Sequence, residues 1–147
     1  VNKAIQNLKE KYEIEYILVE DMTQEEAFKE YKKADIIVDQ LIVGTYGVFA
    51  IEAMAMGKPV ITYITDEMIK TFPDELPIVS ASPLNIQDEI EKLINDGQRR
   101  HDLGVRGRKY IETYHDCKKN AKVLGKIYEG TAEKYAGKAV FEEVKEL

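Results

Sequence analysis

Between residues 34 and 64 two short, largely apolar runs bracket a helical segment that is itself apolar nearly all round. The runs are Ile36-Ile37-Val38 and Val60-Ile61-Thr62-Tyr63-Ile64. A strand apolar at consecutive positions is covered on both faces, which is the habit of parallel sheets. Strands joined by a helix-length connection cross over and lie parallel, since antiparallel neighbours need only a hairpin. The pair commits the chain to an α/β architecture with helices on both faces of a sheet.

The flanking sequence keeps the alternation. Ala4, Ile5, Leu8 and Tyr12 share one helical face. The β-branched run at 14–19 reads as a strand. Thr23-Gln24-Glu25-Glu26 is a capping box, opening a helix with Ala27, Phe28, Tyr31 and Ala34 inward. A strand at 35–39 follows, then a loop to Tyr46 and a helix over 48–56, with Gly57 as its left-handed stop. Next come a strand at 59–64, a short helical piece broken at Pro73, and a fourth strand at 77–80. Asn85 is expected to cap a helix to about residue 95, stopped by Asp96-Gly97. Helices then run over 98–113 and, capped by Asp116, from Cys117 to about residue 135. Phe141, Val144 and Leu147 suggest a final docked helix. The expected fold is a Rossmann-like, doubly wound parallel sheet with C-terminal helices. Its four strands fall short of the usual six. Either the sheet is a small variant, or its first strands lie upstream.

Composition narrows the class. The length of 147 residues suits one domain. No apolar run is long enough to span a membrane, and no secretory leader is visible. The lone cysteine, Cys117, excludes an internal disulfide and fits a reducing cytoplasm. On the inward face with Ala121, Leu124 and Tyr128, it reads as a small hydrophobe. His101 and His115 form no i, i+4 pair, so no metal site is expected. A net charge of −6 argues against nucleic-acid binding. Residues 99–126 nevertheless hold nine Lys/Arg against three Asp/Glu. That stretch suits an anionic membrane surface, although a solvated helix face is the preferred reading.

The chemistry is concentrated where the 35–39 strand meets the next helix. Gly44 and Gly47 lie in the loop, and in parallel sheets ligands bind beyond the carboxyl ends of the strands. A glycine loop entering a helix there presents backbone amides and the positive end of the helix dipole to a diphosphate. Glu52, one turn in, can accept hydrogen bonds from the vicinal hydroxyls of a ribose. Gly47 could equally serve a tight turn, and Glu52 could be a solvated helix residue. The apolar neighbours Phe49, Ala50, Ile51, Ala53, Met54, Ala55 and Met56 favour a partner or ligand for that carboxylate.

The stretch Ala34-Asp35 through Tyr46-Gly47, Glu52-Ala53-Met54-Ala55 and Gly57-Lys58-Pro59-Val60-Ile61 resembles the donor-binding signature of GT-B glycosyltransferases, close to the group 1 glycosyl transferases. The resemblance implies that residues 1–147 are the C-terminal, nucleotide-sugar donor-binding domain of such an enzyme, as a fragment. It implies a cytoplasmic protein of polysaccharide biosynthesis, peripheral at the inner membrane face. Glu52 corresponds to the family's ribose-binding glutamate. Gly44, Thr45, Tyr46, Gly47 and Val48 form the loop toward the diphosphate and sugar. The donor is a substrate, and no separate cofactor or metal is implied. The family's first glutamate falls on Gly44, and its acceptor-binding domain lies outside this chain. No catalytic residue is therefore assigned, and the isolated chain is expected to be inactive. Its unpaired sheet edge favours self-association. Two rivals stay open: a non-catalytic partner subunit of the same fold, and a receiver-like signalling module with Asp39 as phosphoacceptor.

Overall fold

The structure is a computed structural model, and it describes residues 1–128. The expected extension of the last helix to residue 135 and the docked tail helix lie outside the described residues.

Three parallel strands, β1 (Ile37–Val38), β2 (Val60–Thr62) and β3 (Ile78–Ser80), form a sheet in the order β1-β2-β3. Ile37 pairs with Val60, and Val60 with Ile78. Ile61 pairs with Val38 on one side and Val79 on the other. Side chains alternate across a sheet, so the two rows face opposite ways. Ile61 and Val79 pack with α1 (Asn2–Lys9) and α5 (Ile86–Asn95) through Ile5, Leu8, Ile90 and Leu93. Ile37 and Val60 pack with α2 (Gln24–Lys33), α3 (Val48–Ala55) and α6 (Gly97–Tyr114). The helices thus cover both faces, as the consecutive apolar runs require. The strand order does not reverse, so the described strands include no doubly wound switch point. Among the described residues no helix is long and apolar enough to cross a membrane.

Four expectations change. Residues 14–19 form no strand. Ile14 and Val19 pack at the edges of the two apolar clusters, while Leu18 is 53% exposed. A strand is defined by a neighbour's ladder, and no described strand flanks this run. Asn85 does precede α5, but its side chain turns back to accept from the Ser82 amide at 2.8 Å and makes no cap bond. Asp96 ends α5 and at once caps α6, accepting from the Arg99 amide at 2.8 Å, so Gly97 begins a helix rather than stopping one. Finally, α7 (Cys117–Tyr128) buries Val123, whereas Cys117, Leu124 and Tyr128 are exposed. The stripe expected inward therefore faces out. The caps read from the sequence do form. Thr23 and Glu26 make the reciprocal box on α2, and Asp116 accepts from the amides of Lys118 and Lys119.

The contact between α3 and α6 sets the position of the candidate site. Met54 of α3 is fully buried against Gly107, where a Cβ would come within 3.3 Å of its side chain. At Gly104 a Cβ would overlap the carbonyl oxygen of Gly57. Gly57, at φ +71°, closes α3 in a Schellman turn: its amide donates to Met54 O at 2.9 Å, and the Lys58 amide donates to Ala53 O at 3.1 Å. Arg108 Nη1 donates to Ala55 O at 2.6 Å, and Lys58 Nζ donates to Lys32 O at 2.7 Å at the end of α2. Gly104→Ala is expected to destabilise the protein by roughly 1–3 kcal/mol, because a backbone carbonyl cannot move aside as a side chain can. Gly97→Ala, whose Cβ would meet only the end of Arg100 at 3.6 Å, is expected to be near neutral. Urea midpoints of the two variants check this, and equal midpoints would refute it.

Candidate functional site

The loop from Gln40 to Gly47 leaves β1 and delivers the chain to α3. Its conformation is imposed from beneath. Fully buried Thr62 donates its hydroxyl to Gln40 O at 2.7 Å, and the Tyr63 amide donates to the same oxygen at 3.1 Å. The Gln40 side chain then spans the loop. Its Oε1 accepts from the amides of Ile42 and Val43 at 3.2 and 2.7 Å, and its Nε2 donates to Thr45 O. Gly44 is buried at φ +91°, and its carbonyl accepts from the Thr65 amide at 3.0 Å. A Cβ on Gly44 would lie 2.7 Å from Thr65 Cγ2. No side chain, a glutamate included, fits there without displacing Thr65, the residue that caps α4 (Asp66–Ile69).

The structure separates the predicted site residues. Gly47 and Val48 are exposed, Val48 at 70%. Gly47 caps α3 without a side chain, so among the described residues no side chain caps the first amides of the helix. Thr45 is half-buried, its carbonyl held by Gln40. The Tyr46 side chain turns inward instead. Its ring packs on Phe72 with centroids 4.8 Å apart, and its hydroxyl lies 3.0 Å from His115 Nε2 and 3.3 Å from the Tyr110 hydroxyl. Only the backbone of Tyr46 remains for a ligand.

Glu52 is neither sealed in nor turned to bulk water. It is half-buried and accepts from Gln24 Nε2 at 3.0 Å. Residues four apart share a helix face, which puts Glu52 below the exposed Val48. The neighbouring helix α2 is held against α3 by Ala27 and by Tyr31, whose ring lies 4.8 Å from that of Phe49. Burial raises the pKa of the Tyr31 hydroxyl, and the nearby charges of Glu52 and Asp39 raise it further. Asp39 follows β1, and its Oδ2 is buried with no hydrogen-bond partner among the described residues. The carboxyl end of β1 and the first turns of α2 and α3 thus gather two acids beside an uncapped helix start.

Sequence reasoning missed three residues here. Gln24 was visible only as part of a capping box, although its partner lies 28 positions away. Gln40 carried no motif. His115 was weighed only as a metal ligand, yet it joins the loop to the α6–α7 corner through Tyr46. Burial lowers the His115 pKa below its ordinary 6.5. The unfolded chain therefore takes up this proton first, and the contribution to stability, intact above pH 6.5, declines as pH falls below it. The carboxyls of Glu26 and Asp116 are held below their ordinary 4.5 and 3.8, so their effect is confined to lower pH. Thermal unfolding between pH 7 and pH 5 is expected to show a falling midpoint that His115→Gln flattens. Parallel profiles for the two proteins would refute the assignment.

The family model for group 1 glycosyl transferases matches residues 1–110, a span that takes in the loop, α3, the whole sheet and most of α6. No curated protein and no solved structure matches the chain. The match covers well over half of the 147 residues, so the chain belongs to the group 1 glycosyl transferases.

Proposed function

We propose that this chain is the part of a glycosyltransferase that holds the activated donor, a nucleoside diphosphate sugar. The diphosphate sits against the outward amides of Gly47 and Val48, where the helix dipole favours negative charge. The Glu52 carboxylate accepts hydrogen bonds from the ribose hydroxyls. Gly44 and Thr45 contribute backbone, fixed from below by Thr65 and Gln40. Tyr46 acts by anchoring the loop rather than by touching the donor. One observation carries the reading: a half-buried carboxylate one turn below a helix start that no side chain caps. Such a carboxylate repels phosphate but suits a diol, and the neighbouring amides suit the phosphate.

The reading extends to a larger enzyme. We infer that an acceptor-binding domain completes the transferase and that the sheet becomes doubly wound when earlier strands join it. In the strand order 3-2-1-4-5-6, the run at 14–19 is the third strand and pairs with the second, not with β1. Its irregular path here agrees with that order. The setting implied is cytoplasmic, at the inner face of a membrane where glycans are assembled.

Gly44 supports the reading as a non-catalytic partner subunit. The family's first glutamate has no counterpart here, and the buried, left-handed backbone against Thr65 leaves no space for one. The donor reading is preferred, since loss of that carboxylate leaves the features proposed for the nucleotide in place.

Thermal unfolding of the chain with and without UDP, GDP or ADP tests the donor reading. At least one of them is expected to raise the midpoint at millimolar concentration. Glu52→Ala is expected to weaken that nucleotide roughly tenfold or more, since hydrogen bonds to a charged acceptor contribute about 1.5–3 kcal/mol. A midpoint indifferent to all three nucleotides favours the partner reading.

A further inference from the structure

Glu52 does not stand alone at the mouth of the site. Gln24, the first residue of α2, donates its amide nitrogen to Glu52 Oε1 at 3.0 Å. An ionised carboxylate only accepts, so the atom facing it must be the nitrogen, and the amide oxygen remains an acceptor. No donor among the described residues meets that amide oxygen or Glu52 Oε2. Gln24 is exposed, on a backbone turn that is itself fixed. Thr23 and Glu26 lock the turn on which it sits through the reciprocal capping box, with Glu26 Oε2 accepting from the Thr23 amide at 2.9 Å. Ala27 and Tyr31 fix α2 against α3.

We propose that Gln24 and Glu52 form a two-residue ribose clamp. Gln24 occupies one Glu52 oxygen and stops the carboxylate from rotating. The other oxygen accepts one ribose hydroxyl, and the Gln24 amide oxygen accepts the neighbouring one. The clamp rests on the donor reading above and deepens it, because it assigns Gln24 the selection of ribose over deoxyribose. The division of acceptors follows from chemistry. A vicinal diol offers two donors, and a second acceptor fixed beside the carboxylate lets each hydroxyl meet an oxygen of its own. Gln24 supplies that second acceptor, since among the described residues it is the side chain hydrogen-bonded to Glu52. The contact also crosses from α2 to α3, so the clamp depends on how those helices pack and not on the glycine loop.

Equilibrium binding by the full chain tests the clamp, using whichever of UDP, GDP and ADP binds, with its 2′-deoxy and 3′-deoxy forms. Wild type is expected to prefer the ribonucleotide about fivefold over a deoxy form, the scale of one neutral hydrogen bond. Gln24→Ala is expected to weaken the ribonucleotide by about the same factor and to shrink the preference for at least one hydroxyl, leaving that deoxy form little changed. Gln24→Glu, which removes the donor and sets a second charge beside Glu52, is expected to weaken both forms. An equal loss for ribo and deoxy forms in Gln24→Ala would reduce Gln24 to a structural role and overturn the clamp. So would an unchanged preference, and in both cases the donor reading survives. Failure of wild type to bind any of the nucleotides sinks the donor reading and the clamp with it.

Discussion

The position of every candidate donor contact depends on how closely α3 and α6 approach. Helix α3 is apolar on nearly all sides, so it gains stability only by being enclosed. Gly104 and Gly107 remove the side chains that would hold α6 away, and the Gly57 turn and Met54 fill the space. Once α3 is clasped between the sheet and α6, its axis is fixed and its start must emerge at the carboxyl end of β1. The motif residues Gly57 and Lys58 are then explained by packing: one supplies a left-handed turn, and the other satisfies the end of α2. Part of a signature that looks like a ligand motif is thus the fastening of the helix that carries it.

A second layer of constraint lies under the loop. Buried polar groups must find partners, and Thr62 and Gln40 meet that demand by bonding the loop's own backbone. The loop is held by a buried threonine on β2, a glutamine spanning its width and a glycine pressed on Thr65. A diphosphate arriving there would meet amides already in place, and less ordering entropy would be lost on binding. Asp39 is the exception, with one carboxylate oxygen buried and unmatched among the described residues, close enough for Tyr31 to sense its charge.

Much of this was legible in the sequence, for identifiable reasons. Consecutive β-branched residues marked all three strands, and the Thr23 box and Gly57 marked helix ends, because those signals are local. The run at 14–19 carries β-branched residues too, at Ile14, Ile17 and Val19, and fails as a strand, since pairing is a property of neighbours. The exposed stripe of α7 misled for a similar reason: Val123 is inward because of what lies beneath the helix, and periodicity alone does not choose between two mixed faces. Gly104 and Gly107 carry no sequence signal of their packing role, because close approach leaves no mark on a single chain. The isolation of Glu52 among apolar neighbours flagged the site, but its partner Gln24 belongs to another helix. Tyr46 shows the limit of motif transfer, since its side chain turns to the interior.

The contact of Tyr46 with His115 has a thermodynamic corollary. One end belongs to the loop proposed for the donor, and the other to the corner where α6 gives way to α7. Free-energy coupling between two places is mutual, so whatever steadies the corner steadies the loop by the same amount. A molecule gripped at the glycine turn is therefore linked to that corner through the Tyr46 phenol and the His115 imidazole. A displacement of either segment is felt by the other.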